Sequence, residues 1–305
     1  MSWLDLHMHS DISLDGEFSP SALMRLCAGA GLRTAALADH NSVQGIPEAQ
    51  REAFRLGISL VPAVELDCTI SGTDLHVLGY GIDHTDPRYR AVESDVLAQK
   101  RGTSEKRMEI LLEMGIHFSK EDVYGLSREG AITGEMIAEV ALKDPHNRDN
   151  PLMLPYYPGG ARSDNPYVNF FWDYCSFGKP AFTPIHYMSL DEAVLLITST
   201  GGIPVLAHPG NTVQRRKALI QEIVAAGVRG MEVYSSYHSA EDIAYYRDLA
   251  ERLGLFPTAG SDFHGKTKPS VTLGGIPCDG LEPEIEKRLW EEIEASRRSA
   301  GHPTL

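Results

Sequence analysis

Short apolar runs recur along the chain, each followed by a turn and then by a stretch in which hydrophobic positions return every three or four residues. The first, WLDLHMH, reads as a buried strand, and SPSALMRLCAGAG after it as a helix capped by Ser19 with Pro20 in its first position. TAALADH and IPEAQREAFRLG repeat the pattern. SLVPAVELDCTI and TDLHVLGYG are separated only by a short turn and read as a hairpin. After residue 188 the alternation resumes: SLDEAVLLITSTGG, with Ser189 as its cap, leads to IPVLAHPG, VQRRKALIQEIVAAG to GMEVYSS, and SAEDIAYYRDLAERLG to FPTAGSDFHG. Such alternation with right-handed crossovers predicts a parallel sheet, and seven strand segments predict its closure into a barrel.

Residues 88–187 break the rhythm. AVESDVLAQKRGTSEKRMEILLEMG is helical and charged, two shorter helices follow, and DPHNRDNPLMLPYYPGGARSDNP is rich in Pro, Gly and Asn. The expected organisation is a barrel built from 1–87 and 188–305, with 88–187 as a mostly helical insertion capping its mouth. Within it, YVNFFWDY either stacks on a base or packs an apolar helix face on the barrel.

Composition narrows the function. The chain has 305 residues and a formal net charge of -14, which argues against polymeric nucleic acid, since that binding needs a basic face. The same charge opposes any phosphorylated ligand unless something local, such as a bound divalent metal, reverses the field. No run approaches about 18 uninterrupted apolar residues and no basic-then-apolar leader begins the chain, so membrane spans and secretion are not expected and the reading is cytoplasmic. Four widely spaced cysteines suggest neither a disulfide framework nor a thiolate metal site.

The strand ends carry the chemistry. His7 and His9 share one face of the first strand, because alternate side chains point the same way, and Asp15 follows in the next loop. The second strand ends in Asp39 and His40, the third carries Glu65, the fourth His76, a later one ends in His208, and the last in Asp262 and His264. Barrel enzymes place their functional groups at strand carboxyl ends. Any one of these residues suits an ordinary core, but six histidines and three carboxylates at one pole would leave many buried ionised groups unpaired without metal.

The motifs DLHMHS with its DG loop, ALADHNSVQG, VPAVELD, HVLGYG, LAHPG and GSDFH resemble the PHP (polymerase and histidinol phosphatase) family of metal-dependent phosphoesterases, allied to the amidohydrolases. They cover roughly residues 3–81 and 188–265. The resemblance implies an α/β fold, a distorted (β/α)7 TIM-like barrel, and two to three divalent ions, Mn, Fe or Zn. It implies one metal on His7, His9, Glu65 and Asp262, a second on Glu65, His76 and His208, and a third on Asp15, His40 and His264. The family often has His where this chain has Asp15. Asp39 is expected to orient His40 or its loop. The implied activity is hydrolysis of a phosphate monoester or cyclic diester of a small nucleotide or sugar phosphate by metal-activated hydroxide, with Asp15, His40, Glu65, Asp262 and His264 closest to the chemistry.

His238, just past the MEVY strand, is a candidate substrate contact, and Lys179, Arg148 and Arg162 are candidate clamps for a second anionic group. The partner expected is a small phosphorylated metabolite, on a monomer or small homo-oligomer. Two alternatives are a PHP module that has lost its chemistry and serves as an interaction domain, and a C–N bond amidohydrolase. The second usually shows a bridging lysine where this chain has Glu65.

Overall fold

Leu4–Met8 (β1) is buried along its whole length and starts the barrel. Pro20–Gly29 (α1) begins where expected, with the Ser19 hydroxyl accepting the Ala22 N–H at 3.3 Å. Thr34–Leu37 (β2), Ile46–Leu56 (α2), Ser59–Ile70 (β3) and Thr73–Tyr80 (β4) follow. Next come the helices Pro87–Glu113 (α3), Lys120–Leu126 (α4), Gly134–Ala141 (α5) and Pro166–Phe170 (α6). The chain returns through Met188–Ser189 (β5), Leu190–Ser199 (α7), Ile203–Leu206 (β6), Pro209–Thr212 (α8), Lys217–Ala225 (α9), Gly230–Ser235 (β7), Ala240–Leu253 (α10), Phe256–Gly260 (β8) and Glu282–Ala300 (α11). The computed structural model describes residues 1–127, 129–278 and 280–305.

Seven strands hydrogen-bond in the order β1-β2-β3-β4-β6-β7-β8, and the two-residue β5 attaches to β3 beside Cys68 and Thr69. The ring is drawn shut where the Asp262 N–H donates to the His7 carbonyl at 2.8 Å and the His9 N–H to the Phe263 carbonyl at 2.9 Å. The result is a nearly closed α/β barrel of the TIM-like kind.

The sheet is not parallel throughout, which corrects the expectation from the alternating pattern. β4 runs antiparallel to both β3 and β6. The cause is local: Ser71 and Gly72, with φ of 49° and 73°, make a two-residue reversal, whereas a parallel neighbour needs a crossover about a dozen residues long. β4 therefore ends at the amino-terminal pole, where Tyr80 pairs with Ile203. α3 starts from that pole, its Tyr89 hydroxyl 2.8 Å from Thr200 Oγ1. At 27 residues it rises roughly 40 Å along the flank, passing the loop after β2, where the Gln44 amide donates to Glu93 at 2.7 Å.

Beyond α3 the chain packs on itself. Met108, Ile116, Ile132, Ile137 and Phe170 belong to an apolar cluster separate from the barrel's. Phe170 of YVNFFWDY is wholly buried in that cluster and not in the barrel's, and Trp172 is 47% exposed. All four cysteines are buried. Among the described residues, no helix is long and apolar enough to cross a membrane.

Candidate metal centre

Glu65 lies midway along β3, and its carboxylate meets five imidazoles. Oε2 is 3.3 Å from Nε2 of His7, 3.3 Å from Nε2 of His9 and 3.0 Å from Nδ1 of His40. Oε1 is 2.9 Å from His76 Nδ1 and 3.0 Å from His208 Nε2. Asp262 Oδ1 faces the same space, 3.5 Å from His7, 3.1 Å from His9 and 3.4 Å from His264. Asp15 Oδ2 sits 3.4 Å from His264 Nε2 and 3.9 Å from His40 Nε2. All nine residues singled out in the sequence thus join one connected network, drawn from both ends of the chain. His76 is the exception to the strand-end rule, since antiparallel β4 delivers it from its amino-terminal half.

The backbone is bent to make this possible. His208, Asp262 and Asn41, next to His40, have φ of 23°, 58° and 55°, a region costly for residues with a Cβ and common at functional sites. Gly260, at the end of β8, has no room for a methyl: an added Cβ would stand 2.2 Å from both His7 Cβ and Glu232 Oε1.

Charge in the cluster is unresolved by the protein alone. Burial works against a charged His40, yet Glu65, Asp67 and Asp15 outweigh it and push the imidazole up to about 10. His7 is likewise raised well above the usual range, against burial, by Glu65, Glu232 and Asp262. His9 moves the other way, lowered by burial and by its neighbours His264 and His40. Burial would raise the carboxyls of Glu65, Asp262 and Asp15, but the adjacent cations hold all three below the ordinary range.

A buried polar atom without a partner is rare and costly. Seven of the thirteen such side-chain atoms found among the described residues belong here, to Asp15, His40, Glu65, Asp67, His208, Asp262 and His264. Imidazole nitrogens and carboxylate oxygens, buried and mutually facing but short of hydrogen bonds, suit borderline divalent cations such as Mn, Fe or Zn. Compact groupings are His7, His9, Glu65 and Asp262; Glu65, His76 and His208; His9, His40 and His264; and His40, Asp67 and His76.

Several participants were not singled out in the sequence. Asp67 Oδ1 is 3.4 Å from His40 Nδ1 and 3.3 Å from His76 Nε2, and its other oxygen accepts the Asn41 amide at 2.8 Å. Glu232 stands 3.1 Å from His7 Nδ1 and accepts the His208 N–H at 2.8 Å, so one carboxylate holds two strand ends. Lys268 and Tyr237 both donate to Asp262 Oδ2, at 2.6 and 2.5 Å. Asp67 was legible, as the next residue on Glu65's face of the strand. Asp39 acts through Ser13, whose Oγ donates to it at 2.8 Å, accepts the His40 N–H at 2.9 Å and lies 3.0 Å from His9 Nδ1, so it steadies the His40 loop and the His9 ring and not the His40 ring.

The proposed substrate contacts fare differently. His238 is buried with both ring nitrogens committed to backbone, Nδ1 2.8 Å from the Val233 carbonyl and Nε2 accepting the Gly210 N–H at 3.1 Å. It shapes the loop after His208 instead of facing a ligand. Arg162 forks onto Asp173 at 3.0 and 3.1 Å, while Arg148 and Lys179 are exposed on the insertion. Among the described residues none of these three pairs with the cluster.

Known proteins align with this chain from end to end. The PHP domain family matches residues 5–135. A 3',5'-nucleoside bisphosphate phosphatase of Chromobacterium violaceum is 31% identical over 97% of this chain and 98% of its own. A phosphoribosyl 1,2-cyclic phosphate 1,2-diphosphodiesterase of Eggerthella lenta is 28% identical, over 86% of this chain and 94% of its own. A 5'-3' exoribonuclease of Haemophilus influenzae is 28% identical, over 91% and 92%. A solved structure described as an amidohydrolase of Chromobacterium violaceum, with bound sulfate and no metal, superposes with a TM-score of 0.75 at 28% identity, covering 94% of this chain and 97% of that one. Identity of this extent, on a barrel whose strand ends gather these histidines and carboxylates, places the chain in the PHP domain family.

Proposed function

We propose that this chain is a metal-dependent hydrolase of phosphoric esters that acts on small phosphorylated metabolites: monoesters or cyclic diesters of nucleotides or sugar phosphates. The observation that carries this reading is the set of buried nitrogens and oxygens without hydrogen bonds gathered in the cluster of Glu65, Asp262 and their histidines. His7, His9, Glu65 and Asp262 would hold one cation, Glu65, His76 and His208 a second, and His40 and His264 with Asp15 a third. When bound, the cations supply Lewis acidity, lowering the pKa of water and taking up charge on phosphoryl oxygens. Three divalent ions against the carboxylates of Asp15, Glu65, Asp67 and Asp262 would leave a local surplus of about two positive charges. An anion could then enter a protein whose net charge is -14.

The residues around the cations fix orientation. Glu65 reaches both sides of the centre with its two oxygens, so it ties the groups together. A small cavity, no larger than a water molecule needs, lies beside them between His40, Asn41, Glu93 and Lys100, with Lys100 as a cation from the insertion. The names of the two relatives from Chromobacterium and Eggerthella support nucleotide bisphosphates and ribosyl cyclic phosphates as first substrates to try. The buried, widely spaced cysteines fit a cytoplasmic setting.

A second reading, hydrolysis from the 5' end of an RNA, draws on the Haemophilus relative and is opposed by the acidic charge. Manganese-loaded protein should be screened for phosphate release from nucleoside bisphosphates, sugar phosphates and cyclic phosphates, beside 5'-phosphorylated oligonucleotides. Turnover of the small esters supports the proposal, and turnover of the oligonucleotides alone moves the assignment to the second reading. Silence across the panel with manganese bound would favour the interaction module or the C–N hydrolase.

A further inference from the structure

Asp262 is a ligand with two oxygens in unlike surroundings. Oδ1 is buried, has no hydrogen-bond partner and faces His7, His9 and His264 at 3.1 to 3.5 Å. Oδ2 is saturated from behind by the Lys268 ammonium at 2.6 Å and the Tyr237 hydroxyl at 2.5 Å. Neither donor is free to wander. Lys268 is 9% exposed and its Nζ lies 5.4 Å from the Tyr237 ring centroid, while Tyr237 packs edge-on against His208 at 5.9 Å. The Asp262 backbone is fixed as well, with φ at 58° and its N–H on the His7 carbonyl.

We propose that Lys268 and Tyr237 are positioning residues that confine Asp262 to one-oxygen ligation of a divalent cation. This rests on the metal-dependent reading above. A buried ammonium is an expensive way to brace a carboxylate, and its position behind a ligand opposes cation binding by like charge. What it secures is coordination number. A carboxylate free at both oxygens can grip a cation with two, and hard divalent ions accept such ligation. Held through Oδ2, Asp262 can offer only Oδ1, so a coordination position stays open for water or a phosphoryl oxygen. The charge of Lys268 also tempers the affinity of a site already supplied with several ligands.

The two effects predict an unusual pair of changes. Lys268→Met removes a positive charge and one of the two donors that hold Oδ2, so manganese should bind more tightly, on the order of tenfold or more. Turnover should fall because the open position is taken. Tyr237→Phe removes one neutral donor and should shift both quantities in the same directions by less. Lys268→Arg keeps the charge and a donor and should restore much of the original behaviour.

The test is calorimetric titration of chelator-stripped full-length protein with manganese chloride, for the parent and all three variants. Manganese electron paramagnetic resonance reports the coordination environment, and circular dichroism reports folding. Tighter binding in Lys268→Met with a changed resonance envelope, graded through Tyr237→Phe and reversed in Lys268→Arg, is the expected result. Unchanged or weaker binding in folded Lys268→Met overturns the inference while leaving the metal reading intact. If Lys268→Met does not fold, Tyr237→Phe decides on the same criterion. A parent protein that takes up no manganese overturns both.

Discussion

The barrel pole and the helical insertion are both well packed, but they treat charge in opposite ways. In the insertion, charged groups find protein partners: Arg162 forks onto Asp173, Lys143 meets Glu139, which also takes Lys266, and buried Arg107 donates to the Ile132 carbonyl and to Thr183 with only its Nε left over. At the pole, Glu65 faces five histidines, and Glu65 Oε2, His40 Nδ1 and His208 Nδ1 are left without a hydrogen bond, as are atoms of Asp15, Asp67, Asp262 and His264. Matched charge is what a folded scaffold needs for itself. Mutually facing imidazole nitrogens and carboxylate oxygens short of hydrogen bonds are the donor set of a divalent cation site.

That contrast can be attacked from its strongest point downward. Glu65→Gln takes charge from two of the four groupings at once. It should lower turnover by more than the roughly 100-fold typical of groups that only orient ligands, and reduce the manganese stoichiometry seen by elemental analysis. A variant with full turnover would remove Glu65 from the centre. Gly260→Ala places a methyl against His7 and Glu232, so a destabilisation of about 1–3 kcal/mol should appear in urea unfolding. Parent-like stability together with parent-like metal binding would mean that the crowding there is relieved at no cost.

Glu232→Gln keeps the shape but weakens the grip on His7 and the His208 loop, and manganese affinity should fall by about 10–100-fold in titrations. The smallest effect belongs to the insertion. Arg162→Ala breaks a half-exposed pair, so a change of about 1 kcal/mol or less is expected in thermal melts, with no change in phosphate release. A large loss of activity there would break the comparison, because it would make a matched pair part of the chemistry.

The nine clustered residues were legible because strand periodicity and strand ends are local signals, and histidine and carboxylate are the residue types a metal needs. Asp67 was equally within reach, two positions beyond Glu65 on the same face. Glu232, Tyr237 and Lys268 were not, since their roles depend on which loops the closed barrel brings together, and a lone Glu, Tyr or Lys on a strand or loop carries no pattern. His238 misled for the opposite reason. It lies at the expected pole, but its ring is consumed by the backbone of Val233 and Gly210. The hairpin at Ser71 and Gly72 was visible as a turn, whereas its effect on β6 required the whole ring.

The reversal of β4 also fixes what kind of surgery the molecule will tolerate. Because that strand runs backwards, the polypeptide leaves the barrel at the pole opposite to the one it rejoins beside Cys68, and α3 spans the distance between them. Excising residues 88–187 and rejoining the cut ends with a short linker would ask a few residues to cross the full height of the barrel. A minimal version of this protein must keep a spacer as long as α3, or turn β4 around.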